Sequence, residues 1–190
     1  MDTELKKSNR TEYGGMVLIG LWFICYGVIK ILNQSFDFFP DGIAMRAVQI
    51  LTYTPLILGI FVINQSKTNK CREEVLKVQY TVAITILFLA IPLDVMTTFS
   101  LCGYGFLTYY VPRLATLLTK ERQKDSIRWV SAILKCGERL YILFIVMVAI
   151  LTVYISSDSI CRIITYFYYS LALILGLLYC ITSIIVLQKE

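Results

Sequence analysis

Residues 16–32 read Met-Val-Leu-Ile-Gly-Leu-Trp-Phe-Ile-Cys-Tyr-Gly-Val-Ile-Lys-Ile-Leu, an apolar run broken only by Lys30. A helix of about 20 such residues spans the hydrocarbon core of a bilayer. Lys6, Lys7 and Arg10 precede the run, as they would in a signal peptide, but it is too long for an h-region and no small-x-small cleavage site follows. The stretch reads as a retained membrane span. Asp2 stands where myristoylation would need glycine, and no prenylation box closes the chain.

Working outward, comparable runs recur. Spans are expected at about 14–33, 43–64, 77–99, 101–118, 138–157 and 162–187. Turn residues separate the first two, from Asn33 to Gly42. Polar connections are expected at Asn64 to Lys77 and Thr119 to Asp125, and tight turns at Ser100 to Gly103 and Ser156 to Ser159. The composition agrees: of 190 residues, 57% are hydrophobic and only 16% charged, and the mean hydropathy is +0.70. Soluble domains are about 45–50% apolar and about 25% charged. The fold class expected is all-α, a polytopic membrane bundle forming a single domain over 1–190.

The charges set the orientation. With six spans, 15 of the 18 Lys and Arg fall on one side, leaving Lys30, Arg46 and Arg162 on the other. The positive-inside rule then places both termini in the cytoplasm. The fourth span is the shortest and contains Pro112 and Arg113. Without it, Lys120 to Arg139 would lie outside, against the rule. The sequons at Asn9, Asn33 and Asn64 read as chance matches, two of them on the cytoplasmic side. The net charge of +5 belongs to topology rather than to nucleic-acid binding. The lipid bilayer is the first partner expected. The cell membrane is the expected location, with a bacterial plasma membrane favoured because no large loops are present.

Catalysis finds little support. The chain has no histidine, which removes the commonest general base and zinc ligand. Its six cysteines, Cys25, Cys71, Cys102, Cys136, Cys161 and Cys180, form no C-x-x-C pair and read as small apolar residues. A Cys102–Cys161 bridge near the outer face is conceivable in an oxidising compartment. No catalytic residue, metal ligand or cofactor site is assigned. The segment Asp37-x-x-x-Asp41-Gly42-x-Ala44-x-Arg46 departs from the D-x-x-D-G-x-x-A-R spacing of CDP-alcohol phosphotransferases and lacks their second aspartate pair, so that chemistry is not carried over.

Four residues form a candidate solute pocket. Asp94 follows Pro92 near the outer end of the third span. Ionisable residues inside spans are often functional, and proline can open a helix locally. Lys30, Arg46 and Arg162 are the basic residues on the outer half. Together the four suit a small anionic or zwitterionic polar solute, and snorkelling at the headgroups is the plainer alternative. Ala172, Gly176 and Cys180 place small residues every four positions along the sixth span, a packing stripe for a neighbouring helix or a second copy. Tyr166, Phe167, Tyr168 and Tyr169 suit an aromatic belt at its outer end. Residues 125–137 read as a basic amphipathic helix on the inner leaflet, with Asp125 as its N-cap and Trp129 as an anchor.

In size and topology the chain resembles the substrate-binding components of energy-coupling-factor transporters. Its first span, Gly20-Leu-Trp-Phe-Ile-Cys-Tyr-Gly27, lacks the A-x-x-x-A pattern they use to dock a coupling subunit. The function expected is a transport or solute-binding membrane subunit with an outward-facing polar pocket. The alternative is a non-catalytic structural, assembly, regulatory or immunity subunit of a larger membrane complex. A membrane-protein partner or a homo-oligomer fits either reading.

Overall fold

A computed structural model describes residues 2–36, 43–65, 72–91, 94–120 and 158–189, together with 135, 137–139, 142–143 and 145–146. Among the described residues the architecture is all-helical. The helices are α1 (Asp2–Phe36), α2 (Ile43–Thr52), α3 (Thr54–Asn64), α4 (Arg72–Ala90), α5 (Asp94–Lys120) and α6 (Asp158–Lys189). The described residues from Lys135 to Val146 are helical as well. Most of the expected 125–137 helix, and the side chains of Cys102 and Cys161, lie outside the described residues.

Among the described residues, three stretches are long and apolar enough to cross a membrane: Thr11–Phe36, Ala44–Asn64 and Arg162–Ile185. Their outward side chains suit lipid. Leu51, Phe61, Ile163, Ile174, Leu177 and Ile181 are each at least half exposed, an apolar coat that a water-soluble protein rarely presents. With backbone hydrogen bonds closed within each helix, such segments suit a solvent that offers no partners.

The sequence-based boundaries shift at two places, both at prolines. The third span was expected to run from 77 to 99, with a turn at Ser100 to Gly103. Instead α4 ends at Ala90, a bend follows at Ile91, and α5 runs unbroken through 100–103. Pro92 explains the shift, since it has no N–H to donate and disfavours helical geometry at the residue before it. Asp94 is therefore the first residue of α5 rather than part of the preceding helix. The second break divides the expected 43–64 span at Tyr53. Pro55 sits in the first turn of α3 and cannot donate to the carbonyl of Leu51. The chain tightens there, with the Tyr53 N–H donating to the Ile50 carbonyl at 3.0 Å. The Ile57 N–H then donates to Tyr53 at 2.9 Å, and the helix resumes.

Helix α1 is the centre of the bundle and packs against α3 and α6. Two close crossings hold it. A Cβ on Gly15 would lie 2.7 Å from the Gly59 carbonyl oxygen, and one on Gly59 would lie 2.7 Å from that of Gly15. On another face of α1, Gly20 and Gly176 meet in the same reciprocal way, at 2.8 and 2.6 Å. Between helices in lipid, van der Waals contact replaces the hydrophobic effect, so backbones gain by approaching closely. Ala172, Gly176 and Cys180 lie on the side of α6 that meets α1: Ala172 is wholly buried, and the Cys180 thiol donates to the Val17 carbonyl at 3.6 Å.

These contacts fix the directions. Gly15 meets Gly59 and Trp22 meets Tyr53, so α3 runs antiparallel to α1. Gly20 meets Gly176 and Ser35 meets Tyr166, so α6 is antiparallel to α1 as well. Helices α4 and α5 pair antiparallel, with Gly103 against Thr85 and Arg113 against Glu74. The bundle thus has a near end, carrying the start of α1, and a far end, carrying Phe36, Ile43, Ile91, Asp94 and Asp158.

Candidate functional site

At the far end, α1, the α2–α3 break and the first turns of α6 enclose an aromatic cluster. Trp22 and Tyr26 are one turn apart on α1, with ring centroids 6.3 Å apart. Trp22 also faces Tyr53 at 5.9 Å, and Tyr26 meets Tyr169 edge-on at 6.1 Å. Tyr168 lies beside Tyr169 at 5.4 Å. Trp22, Tyr26, Tyr53 and Tyr168 are all buried. Such edge and tilted pairs contribute about 0.5–1.5 kcal/mol each beyond the area they bury. Tyr53 keeps helical dihedrals at the break, φ −77° and ψ −11°, and its side chain is buried against Trp22.

Lys30 stands one turn beyond Tyr26, with its Nζ 5.7 Å from the centre of the Tyr26 ring. A desolvated cation over an aromatic face gains about 2 kcal/mol. Gln34 follows one turn further along the same face. Its Nε2 donates to the backbone carbonyl of Arg162 at 3.4 Å, while its buried Oε1 has no partner among the described residues. The rim is closed by Ser35 Oγ against the Tyr166 hydroxyl at 2.9 Å. The arrangement is a packed aromatic cluster, part of the core, with a cation and an amide at its edge.

The four expected pocket residues all fall at this end, in different settings. Lys30 is half-buried over Tyr26. Arg162 is exposed at the start of α6. Arg46 is committed elsewhere: its Nη1 donates to the Ile91 carbonyl at 2.6 Å, where Pro92 ends α4. A cation at a helix C-terminus satisfies an orphan carbonyl and opposes the negative end of the dipole. Asp94 opens α5, where an acid suits the positive end of the dipole; its side chain is outside the described residues. The structure therefore brings Lys30 to the aromatic cluster and gives Arg46 a structural bond. Tyr26 and Tyr53 were missed by sequence reasoning. The i, i+4 spacing of Trp22 and Tyr26 was the available signal.

A second polar group at the near end was also missed. Glu74 of α4 is 8% exposed. Its Oε1 lies 3.3 Å from Lys77 Nζ and 3.4 Å from Arg113 Nε, while its buried Oε2 has no hydrogen-bond partner among the described residues. Arg113 Nη1 also donates to the Tyr109 hydroxyl at 3.1 Å. Lys77 bridges to Glu73 at 2.8 Å, and that hydrogen bond holds the solvent-exposed Glu73 carboxyl below the usual carboxylate range. No group of His, Cys, Asp and Glu able to hold a metal ion occurs among the described residues.

Comparison of the chain with protein-family models, with curated proteins and with solved structures gives no match. The site's chemistry is therefore the basis for a functional reading.

Proposed function

We propose that the chain is a six-crossing membrane subunit, with both termini in the cytoplasm, that binds or carries a small anionic or zwitterionic solute. The observation that carries this reading is Lys30, half-buried above Tyr26 at the edge of the far-end aromatic cluster. A solute with a carboxylate or phosphate and an apolar body fits a cation beside ring walls, with the Gln34 oxygen free to accept from a solute donor.

Three features support the crossing number. Leu76, Tyr80, Ile84 and Leu87 form an exposed, mostly apolar stripe on α4 at helical spacing, as expected of a lipid-facing surface. Glu73, Glu74 and Lys77 crowd the first two turns of α4, so its composition falls short of a simple span even though its later turns are apolar. Finally, α5 runs from the far end to the near end and α6 starts again at the far end, an arrangement that supports one more crossing between them. Lys and Arg gather at the near end among the described residues, with Lys30, Arg46 and Arg162 at the far end. That asymmetry supports a cytoplasmic near end.

Two experiments test the reading. Cysteines placed at Asn69 and Gln123 stay unlabelled by an impermeant maleimide added outside intact cells, and one at Ser159 is labelled. Ready labelling at 69 or 123 overturns the orientation. For the solute, native mass spectrometry of protein purified in mild detergent is expected to show a retained small molecule that Lys30→Met loses while its melting temperature holds. Retention of a stoichiometric protein with no small molecule moves the assignment to the non-catalytic subunit of a larger complex.

A further inference from the structure

At the near end, the outer face of the α4–α5 pair offers more hydrogen-bond donors than acceptors. Glu74 Oε1 serves both Lys77 Nζ, at 3.3 Å, and Arg113 Nε, at 3.4 Å. The other Glu74 oxygen is buried, so it is not presented at the surface. An ammonium carries three donors and a guanidinium five. Lys77 directs one more to the exposed Glu73, and Arg113 Nη1 donates to the Tyr109 hydroxyl at 3.1 Å. Arginine can only donate, so the tyrosine oxygen accepts and its own O–H is left to donate. Among the described residues, Arg113 Nη2 and the Tyr109 O–H have no acceptor. The Lys77 and Arg113 side chains are 39% and 47% exposed, so both face out of the bundle.

Apolar surface continues from these donors along both helices. Lys77, Tyr80 and Ile84 share a face of α4 at i, i+3 and i+7, and Phe106, Tyr109 and Arg113 share one of α5 at the same spacing. Tyr80, Ile84, Phe106 and Tyr109 are all exposed. Because Lys77 and Arg113 meet at Glu74, the two faces adjoin. The surface is thus polar and cationic at its near-end edge and apolar beyond it, which is the layout of a lipid: headgroup, then chains. The charge suits an anion. Arg72, Lys77 and Arg113 face Glu73 and Glu74, and Glu138 acts on Arg113 electrostatically from a stretch that also carries Lys135 and Arg139. Bases therefore outnumber acids, and the Glu73 bridge to Lys77 is an exposed pair of the kind that contributes little. We propose that the near end of the α4–α5 face binds an anionic phospholipid, with its phosphate at Lys77, Arg113 and Tyr109 and an acyl chain along Tyr80, Ile84 and Phe106. A phosphate supplies the acceptors that the free guanidinium and phenol donors lack. Basic sites between membrane helices commonly hold such headgroups. The site rests on α4 and α5 lying in the bilayer, and it does not depend on a solute at the far end.

The full chain, freed of lipid in mild detergent, is titrated with phosphatidylglycerol or with phosphatidylcholine of the same acyl chains, and binding is read by native mass spectrometry. The first phosphatidylglycerol is expected to bind roughly tenfold more tightly than the first phosphatidylcholine, the scale set by two bases near a headgroup. The double variant Glu74→Gln/Arg113→Gln removes the guanidinium without changing the net charge or leaving a buried carboxylate unpaired. It is expected to lose most of that preference while its affinity for phosphatidylcholine holds. Attraction to the chain's overall charge would not change in this variant, so a surviving preference overturns the site, as does equal binding of the two lipids by the unaltered chain. If the double variant does not fold, Tyr109→Phe decides: it removes one exposed donor and leaves both bases in place. A preference reduced about threefold supports the site, and an unchanged one overturns it. Cysteine labelling at positions 69 and 123 reads the crossings separately, so a failed lipid titration is distinguishable from a wrong topology.

Discussion

Trp22→Ala lowers the unfolding free energy by about 3–5 kcal/mol, the usual cost of truncating a large buried aromatic. Trp22 is fully buried on the central helix. Its ring lies 4.5 Å from Phe23, 5.9 Å from Tyr53 and 6.3 Å from Tyr26, so it joins α1 to the break between α2 and α3. In lipid, removing it returns little hydrophobic free energy, because the surrounding tails are as apolar as the interior. The loss is one of packing: the lining atoms forfeit contacts that neither lipid nor a relaxed Tyr53 restores. Thermal unfolding in detergent measures it. A shift no larger than that of Trp22→Phe would show that the cavity collapses and that the ring is not the keystone of the α1–α3 contact.

Gly176→Leu is the second large effect, expected at about 1–3 kcal/mol or more by overpacking. A Cβ at Gly176 already meets the Gly20 carbonyl oxygen at 2.6 Å and the Ile24 backbone nitrogen at 3.0 Å. Backbone atoms cannot swing aside as a side chain would, so α1 and α6 have to separate. Separation also disturbs the Cys180–Val17 and Ser35–Tyr166 contacts along the same interface. Gly14→Ala is the internal control. A Cβ there meets nothing within 4 Å, and alanine is the better helix former by about 1 kcal/mol. The two glycine substitutions should therefore move the melting temperature in opposite directions. A shared direction would mean that the α1–α6 crossing is looser than described.

The aromatic cluster and the charge junction differ in how far the sequence could have revealed them. Lys30 stood out because a lone base inside an apolar run is rare. Its neighbour Tyr26 did not, since an aromatic in a span is ordinarily an interfacial or packing residue. Only the third helix, arriving with Tyr53 at its break, makes that tyrosine part of the buried aromatic cluster. Arg46 illustrates the reverse. It read as a solute ligand, but the carbonyl freed by Pro92 lies within its reach and takes its guanidinium. Glu74 read as part of a polar connection because Arg72, Glu73 and Lys77 surround it. Its burial follows from Arg113, distant in sequence, which antiparallel pairing of α4 and α5 places beside it.

The sequence by itself determined that the chain is helical and apolar enough to lie in a membrane, because helix length and side-chain transfer free energy are local properties of each run. It also held the prolines that end α4 and break the second span, since a missing N–H acts on the chain's own backbone. Which partners meet was decided only in the tertiary structure. Gly20 finds Gly176, Lys30 joins an aromatic cluster built by three segments, and Glu74 shares one oxygen between two bases. Each of these depends on helices remote in sequence arriving at one register, and no local pattern encodes the distance between them.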